Sequence, residues 1–441
     1  MEERHRSLLI RQNPWWQEKK LVVPVFERDL LKTLLRYLGT RQIIAVVGLR
    51  RTGKTVLMKQ LINKLDAPKN NICYISFDDI DFQKYEIAED LIKYFLEFSD
   101  KTGIRYLFLD EIQKLPNWAD LLKTYYDIEE KLKIFVTGSA SLELAEHKET
   151  LAGRLFSFNL PVLKFSEFAR YSGMEYQVTE DMFREYDLKY SDKIETYREL
   201  FEKYLSKGAF PELLEINDEE FIKKYIKESV IEKTIVDIAR ISGDDEKIIY
   251  ELFRLLASGN AQLFELINLS GILKVNRNRV SHYISLLEKS FLIKISYNFT
   301  ASVSKQVRAS KKQYSAHSSI VIAMLDYPFS AIRTEVAGHL VEAEIANNIE
   351  KSSFWRTPQK DEVDIITKLD GKPVPIEVKY QQQITNRDFK PILKFCRQFK
   401  IKKAIIVTKD RLESQKVDDL DILLIPAWFF LFFWKEKVKI E

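Results

Sequence analysis

Residues 42–55 read QIIAVVGLRRTGKT, an apolar run followed by a loop bracketed by Gly48 and Gly53 and closed by Lys54 and Thr55. That spacing is the one a phosphate-binding loop needs. Glycines let successive backbone N–H groups turn inward around a β-phosphate, lysine brings a point charge to the β/γ oxygens, and the threonine hydroxyl is placed to ligate Mg²⁺. Gln42 to Val47 predicts a buried strand, and Lys54 to Leu65 carries apolar residues at helical spacing. The loop therefore joins strand to helix and aims a positive helix N-terminus at the anion. Gly48, Arg51, Gly53, Lys54 and Thr55 are the expected contacts of a bound nucleotide.

Outward from this loop, apolar strands alternate with amphipathic helices as far as about residue 165: NICYISF, RYLFLD, KIFVTG and LFSFNLPVL follow QIIAVV. This is the pattern of an α/β fold with a parallel sheet and helices on both faces. RYLFLDEIQ puts Asp110 and Glu111 at a strand's carboxyl edge, where doubly wound sheets hold their ligands. Asp110 is expected to hold Mg²⁺ through its water shell and Glu111 to act as general base on the attacking water. KIFVTGSAS ends in small hydroxyl residues, of which Ser139, ahead of Thr137, is expected to contact the γ-phosphate, with a helix cap as the alternative. Arg154 is the candidate for transition-state charge, in its own or a neighbouring subunit, against the plainer reading of a surface ion pair.

The chain has 441 residues, too many for one ordinary core, and its 69 Lys and Arg against 65 Asp and Glu leave a net charge of +4. Bulk charge thus excludes general polyanion binding, and any nucleic-acid contact must come from a local patch. Cys73 and Cys396 stand far apart, which argues against a disulfide scaffold or zinc site and for a reducing interior. The start, MEERHRSLLIRQNPWW, is too polar for a signal peptide, so a cytoplasmic location and no membrane partner are expected. IPAWFFLFFW near the end is short of the roughly 20 residues of a spanning helix and reads as a buried terminal strand.

Four segments are expected: a phosphate-binding parallel-sheet core over 1–165, a helical lid or linker over 166–240, a winged-helix domain over 241–329, and a C-terminal α/β domain over 330–441. In the third, Lys274 to Lys312 holds nine Lys or Arg against one acid, Glu288. NRNRVSHYISLLEKSFLI places Val280, Tyr283, Ile284 and Leu287 on one helical stripe, with Arg277, Asn278, Arg279, Ser281 and His282 elsewhere around the turn. A recognition helix needs that division, so Arg277, Asn278 and Arg279 are the expected DNA contacts, with a solvated interdomain helix as the alternative. A strand pair at FLIKISYNFT would supply the wing.

In the last segment, Asp370-Gly371 is the strongest short hairpin signal. A two-residue loop there sets Asp364 opposite Glu377 and Glu362 opposite Lys379, and lets Pro373 and Pro375 fall where the partner strand asks for no N–H. Two carboxylates then meet on one face with Cα atoms ~4.5 Å apart, a repulsive pairing unless something positive sits between them. A divalent cation held by Asp364 and Glu377 is one answer, with Lys379 on the same face; a solvent-facing strand whose acids happen to meet is the other.

QNPWW, GLRRTGKT, LFLDEIQ, VTGSAS, LAGRLFSFNLPVLKFSEF and GAFPELL together resemble AAA+ superfamily ATPases of archaea and bacteria that carry a C-terminal domain of unknown function with EVDF…IEVK-type motifs, here DEVDIITKLDGKPVPIEVKY. The resemblance implies an ATPase core using ATP with Mg²⁺ or Mn²⁺, a winged helix, and a C-terminal restriction-endonuclease-like fold similar to PD-(D/E)xK nucleases. It implies a third metal-ligating acid from the preceding helix, Glu342 in GHLVEAEIANNI with Glu344 second, and a catalytic role for Lys379. The chain departs from the pattern at KKQYSAHSSIVIAML, which lacks an acid often found there, leaving that strand's role open. Two functions follow: an ATP-hydrolysing protein acting on DNA with a metal-dependent nuclease domain, or a nucleotide-dependent switch whose C-terminal domain is a non-catalytic binding module. A homo-oligomer and a protein partner are compatible with both.

Overall fold

The computed structural model describes residues 2–138, 150–174, 193–300, 310–369, 371–381, 383–385 and 387–434. The chain divides into two compact units, Met1–Pro161 with Lys289–Phe291, and Val162–Glu288 with Leu292–Glu441.

The first unit is built on a five-stranded, wholly parallel sheet: β1 (Ile43–Val47), β2 (Ile72–Ser76), β3 (Arg105–Asp110), β4 (Leu132–Gly138) and β5 (Leu155–Asn159), in the order β2-β3-β4-β1-β5. These are the five strands expected from the alternation. Its helices are α1 (Glu3–Gln12), α2 (Asp29–Leu35), α3 (Lys54–Lys64), α4 (Tyr85–Phe98) and α5 (Trp118–Ile128). The period of two sends Cys73 and Ile75 of β2 into the core layer with α4 and α5, and Ile72 and Tyr74 into the layer with α2 and α3.

The stretch QNPWW closes the free edge of β2. Asn13 donates from Nδ2 to the Tyr74 carbonyl at 2.8 Å and accepts the Tyr74 N–H at 2.6 Å. Gln12 accepts the Ser76 N–H at 2.8 Å, and the indoles of Trp15 and Trp16 both donate to the Ile72 carbonyl. Side chains thus take the place of a sixth strand and leave no row of unpaired backbone groups there.

The second unit opens with helices: α6 (Phe165–Tyr171), α7 (Ile194–Lys207), α8 (Glu219–Tyr225), which continues through a π-helical stretch, Ile226–Glu232, into α9 (Lys233–Ser242), then α10 (Glu246–Ser258), α11 (Leu266–Leu273) and α12 (Arg277–Lys289). Val280, Tyr283, Ile284 and Leu287 of α12 are all buried, as their stripe requires. A three-stranded antiparallel sheet joins β6 (Leu263–Phe264), β7 (Ile293–Tyr297) and β8 (Lys311–Ser315) in the order β6-β8-β7. FLIKISYNFT therefore supplies one strand, β7, and not a pair. Its partner β8 is KKQYS, the segment whose role the sequence left open.

After α13 (Ser318–Leu325) and α14 (Val336–Asn348) comes a six-stranded mixed sheet: β9 (Ser353–Arg356), β10 (Glu362–Leu369), β11 (Lys372–Lys379), β12 (Lys403–Thr408), β13 (Glu413–Val417) and β14 (Leu420–Pro426), in the order β13-β14-β12-β11-β10-β9, with α15 (Lys390–Phe399) and α16 (Ala427–Phe433). The β10–β11 register pairs Ile366 with Pro375, Lys368 with Pro373 and Leu369 with Lys372, as the turn argument required. Gly371 has φ +78°, the left-handed conformation such a turn demands. The expected terminal strand at IPAWFFLFFW is corrected: β14 stops at Pro426 and the aromatic run is helical. Trp428 stacks on Tyr197 at 5.0 Å and Phe432 on Phe165 at 4.7 Å, so α16 is apolar all round because it is buried among α6 and α7. Among the described residues, no helix is long and apolar enough to cross a membrane.

Candidate functional site

The loop between β1 and α3 has the backbone its glycines permit. Gly48 takes φ +156° and Gly53 φ +94°, and Arg51 sits at φ +67°. A Cβ on Gly48 would lie 2.3 Å from the Leu160 carbonyl oxygen, so no other residue fits there without moving the chain. Arg28 fastens the loop from outside, donating to the Thr52 carbonyl at 2.7 Å and to the Pro161 carbonyl at 2.8 Å. Lys54 is buried and donates to the carbonyls of Gly48 and Leu49, both at 3.0 Å. Burial lowers its ammonium from the ordinary lysine value, and the charges of Glu111 and Asp110 oppose that shift.

Asp110 ends β3 within reach of the loop. Its Oδ2 accepts from the Thr55 hydroxyl at 2.8 Å and from the Tyr74 phenol at 2.7 Å, and its Oδ1 accepts from the Thr137 hydroxyl. Glu111 stands in the left-handed region at φ +54°, where a non-glycine residue is held only by its surroundings. Its N–H donates to Thr137 Oγ1 at 2.9 Å, and its carboxylate accepts from Gln113 Nε2 at 2.5 Å. Thr137 thus fastens both acids at the end of β4; Ser139 lies outside the described residues. Adjacent hydroxyl and carboxylate oxygens beside a lysine fit a hard divalent cation with a phosphate.

Arg154 is elsewhere. It immediately precedes β5, its carbonyl accepts the Ile43 N–H at the start of β1, and its guanidinium forks onto Asp127 at 2.9 and 3.2 Å. The loop lies at the other end of β1, about 16 Å away at ~3.3 Å per residue. The expectation that Arg154 serves the site of its own subunit is corrected: a parallel sheet keeps its two edges apart, and this arginine is on the wrong one.

In the second unit Asp364, Glu377, Glu342 and Lys379 do converge, and the positive charge among them includes one the sequence reading missed. Lys312 of β8, 2% exposed, places Nζ 2.8 Å from Glu342, 2.7 Å from Glu362 and 3.7 Å from Asp364. Lys379 donates to Glu377 at 2.6 Å, and Arg356 pairs with Glu362 at 2.7 Å. Asp364 Oδ2 accepts the Val378 N–H at 2.9 Å. Burial, with Asp364 beside it, pushes Glu342 up to about 7. Burial and the same neighbour raise Glu377 above the usual carboxylate range. Burial acts downward on Lys312, but Glu342, Tyr314, Asp364 and Glu362 hold it well above its ordinary value.

The repulsion from which a metal ion was expected is therefore already relieved by amines. Ile376 and Glu377, on opposite faces of β11, are both buried, while Asp364 and Lys379 on the acid face keep 14% and 25% of their side chains exposed. Among the described residues, no group of three or more His, Cys, Asp or Glu is placed to hold a metal ion. Glu342, Asp364 and Glu377, expected as a ligand set, are thus each paired with an amine. Glu344 is buried apart from it, accepting from the Ser318 N–H at 2.6 Å and from the Tyr204 phenol at 3.3 Å.

The basic segment is also thinner than its count. Lys312 is buried in the cluster, and Lys294 donates to the carbonyls of Ala346 and Ile349. Arg279 is held by Asp244 at 2.9 Å, and Lys305 and Arg308 lie outside the described residues. Lys274, Arg277 and Asn278 are exposed. Tyr74 and Lys312 are the residues that sequence reasoning missed. Period-two alternation places Tyr74 on the loop side of β2, which was a usable signal; nothing local marks Lys312.

Residues 40–169 match the family described as an AAA domain, and residues 198–330 and 334–430 match two domains of unknown function, DUF8612 and DUF4143. An uncharacterized protein of Methanocaldococcus jannaschii is 26% identical over 430 residues, covering 92% of this chain and 90% of that one. An uncharacterized protein of Haemophilus influenzae is 22% identical over 427 residues, covering 92% and 98%. The solved Walker-type ATPase of Pyrococcus abyssi is 17% identical with a TM-score of 0.43, over 68% of this chain and 96% of that one. Residues 40–169 are an AAA-type, P-loop ATPase-like domain.

Proposed function

We propose that the chain is an ATP-hydrolysing switch that acts on DNA, with its C-terminal domain serving as a non-catalytic module. The observation that carries the first part is the Thr55–Asp110 hydrogen bond at 2.8 Å at the mouth of the Lys54 loop, with Glu111 one residue on. Thr55 and Asp110 would hold Mg²⁺ or Mn²⁺, which when bound shields the charge of the β- and γ-phosphates. Lys54 exchanges the carbonyls of Gly48 and Leu49 for phosphate oxygens. The loop N–H groups and the N-terminus of α3 hold the remaining phosphate charge. Glu111, released from Gln113, orients a water for in-line attack and takes its proton.

DNA is proposed as the partner on the exposed part of α12, where Arg277 and Asn278 are presented while the apolar stripe is docked. This reads α10 to α12 and β6 to β8 as a winged helix. The nuclease reading is set aside because Lys312 sits among Glu342, Glu362 and Asp364; the C-terminal fold is read as restriction-endonuclease-like without the chemistry.

Binding of a fluorescent ATP analogue and of labelled duplex DNA tests this directly. The parent is expected to bind the analogue, Lys54→Ala to lose it, and DNA affinity to differ between ATP- and ADP-loaded protein. DNA affinity indifferent to nucleotide sinks the switch.

A further inference from the structure

The nucleotide reading accounts for Lys54, Thr55, Asp110 and Glu111 but not for the phenol that shares an oxygen with Thr55. Tyr74 lies on β2, the strand beside β3, with Phe108 as its register partner, and reaches along the sheet to Asp110 two residues further on. It is 4% exposed, so its bond to Asp110 is shielded from bulk solvent. Its 2.7 Å bond and the 2.8 Å bond from Thr55 fall on the same oxygen, while Thr137 takes the other. Three hydroxyls from three elements fix the carboxylate's plane. The backbone of Tyr74 is itself fixed, since Asn13 grips both its N–H and its carbonyl.

We propose that Tyr74 is a positioning residue for the divalent cation, acting through Asp110, and that Asn13 extends this support to the segment before the sheet. The proposal rests on the ATP reading above. Thr55 must turn its oxygen toward a cation when one binds, which loosens its hold on Oδ2; Tyr74 has no such second duty and keeps the carboxylate aimed. A carboxylate held this way offers its free lone pairs to the cation's water shell without first losing rotational freedom.

The test is a Mg²⁺ titration of ATP-analogue binding by the full chain, measured without turnover, for the parent, Tyr74→Phe and Asn13→Ala. Tyr74→Phe keeps the ring and its packing and removes only the donor. Expected are equal affinities in EDTA, and a Mg²⁺ concentration for half-maximal tightening raised about tenfold in Tyr74→Phe, the effect of one hydrogen bond to a charged group. Asn13→Ala should shift it in the same direction by less. Thermal melting without nucleotide separates a merely structural role, which would lower the melting temperature and leave the Mg²⁺ midpoint unmoved. A Tyr74→Phe midpoint equal to the parent's overturns the positioning role alone. A parent whose binding ignores both Mg²⁺ and Lys54→Ala overturns the ATP reading and this inference together.

Discussion

At Lys312, three carboxylates from α14 and β10 meet one ammonium with 2% of its side chain exposed. Removing that charge alone leaves acids buried without compensation, so Lys312→Met should destabilise the chain by about 3–5 kcal/mol in denaturant unfolding. Adding Glu342→Gln should restore much of the loss. The same cluster fixes a pH dependence. Glu342 and Glu377 bind protons more tightly folded than unfolded, so their contribution is complete below the ordinary glutamate value of ~4.3 and is lost as pH rises through the folded values. His317, which burial pushes down to about 3, contributes in the opposite direction, but only up to the unfolded histidine value of ~6.5. Between about pH 6.5 and 7.5 these acids, with Glu344, which burial pushes up to about 7, prevail over Lys133 and Lys294, which burial lowers to about 8, and stability should fall by on the order of 1 kcal/mol per pH unit. Glu377→Gln should flatten that slope; melting curves that stay level over this window contradict the buried-acid account. Local spacing made Lys54 and Asp110 legible in the sequence, whereas Lys312 meets acids 30 to 52 positions away and Tyr74 an acid 36 away, distances that no motif spans.

Among the elements, the β10–β11 hairpin was readable because one Asp-Gly turn sets its whole register and two prolines check it. The helix α16 was misread because an all-apolar run carries no period by which to tell helix from strand, and packing against α6 and α7 decides it. Helix α12 was half readable. Its buried stripe follows from spacing, but counting cations along the chain cannot see that Lys294 and Lys312 point inward and that Arg279 is held by Asp244. Arg277→Ala should therefore weaken DNA binding and reduce the log–log salt slope by up to ~0.9 if one phosphate contact is lost. Arg279→Ala should act mainly on stability, because it frees a half-buried Asp244. Fluorescence anisotropy across a salt series separates the two, and an unchanged slope for Arg277→Ala removes α12 from the DNA interface.

In the proposed function the parallel-sheet unit hydrolyses ATP, and the second unit's acids at Glu342, Asp364 and Glu377 are paired with lysines. The parent should not cleave duplex, single-stranded or branched DNA with Mg²⁺ or Mn²⁺, with or without ATP, because Lys312 and Lys379 hold the acids that a nuclease would give to metal. Appearance of Asp364-dependent cleavage would restore the nuclease reading. The most direct test of the central claim is phosphate release from ATP by the parent and by Glu111→Gln, with bound ATP measured in the same samples. Expected are Mg²⁺-dependent release by the parent, and a variant that retains ATP while releasing phosphate ~10²- to 10⁴-fold more slowly, the usual consequence of losing a positioned general base. Release by Glu111→Gln at the parent's rate, or a parent that releases none, contradicts that claim.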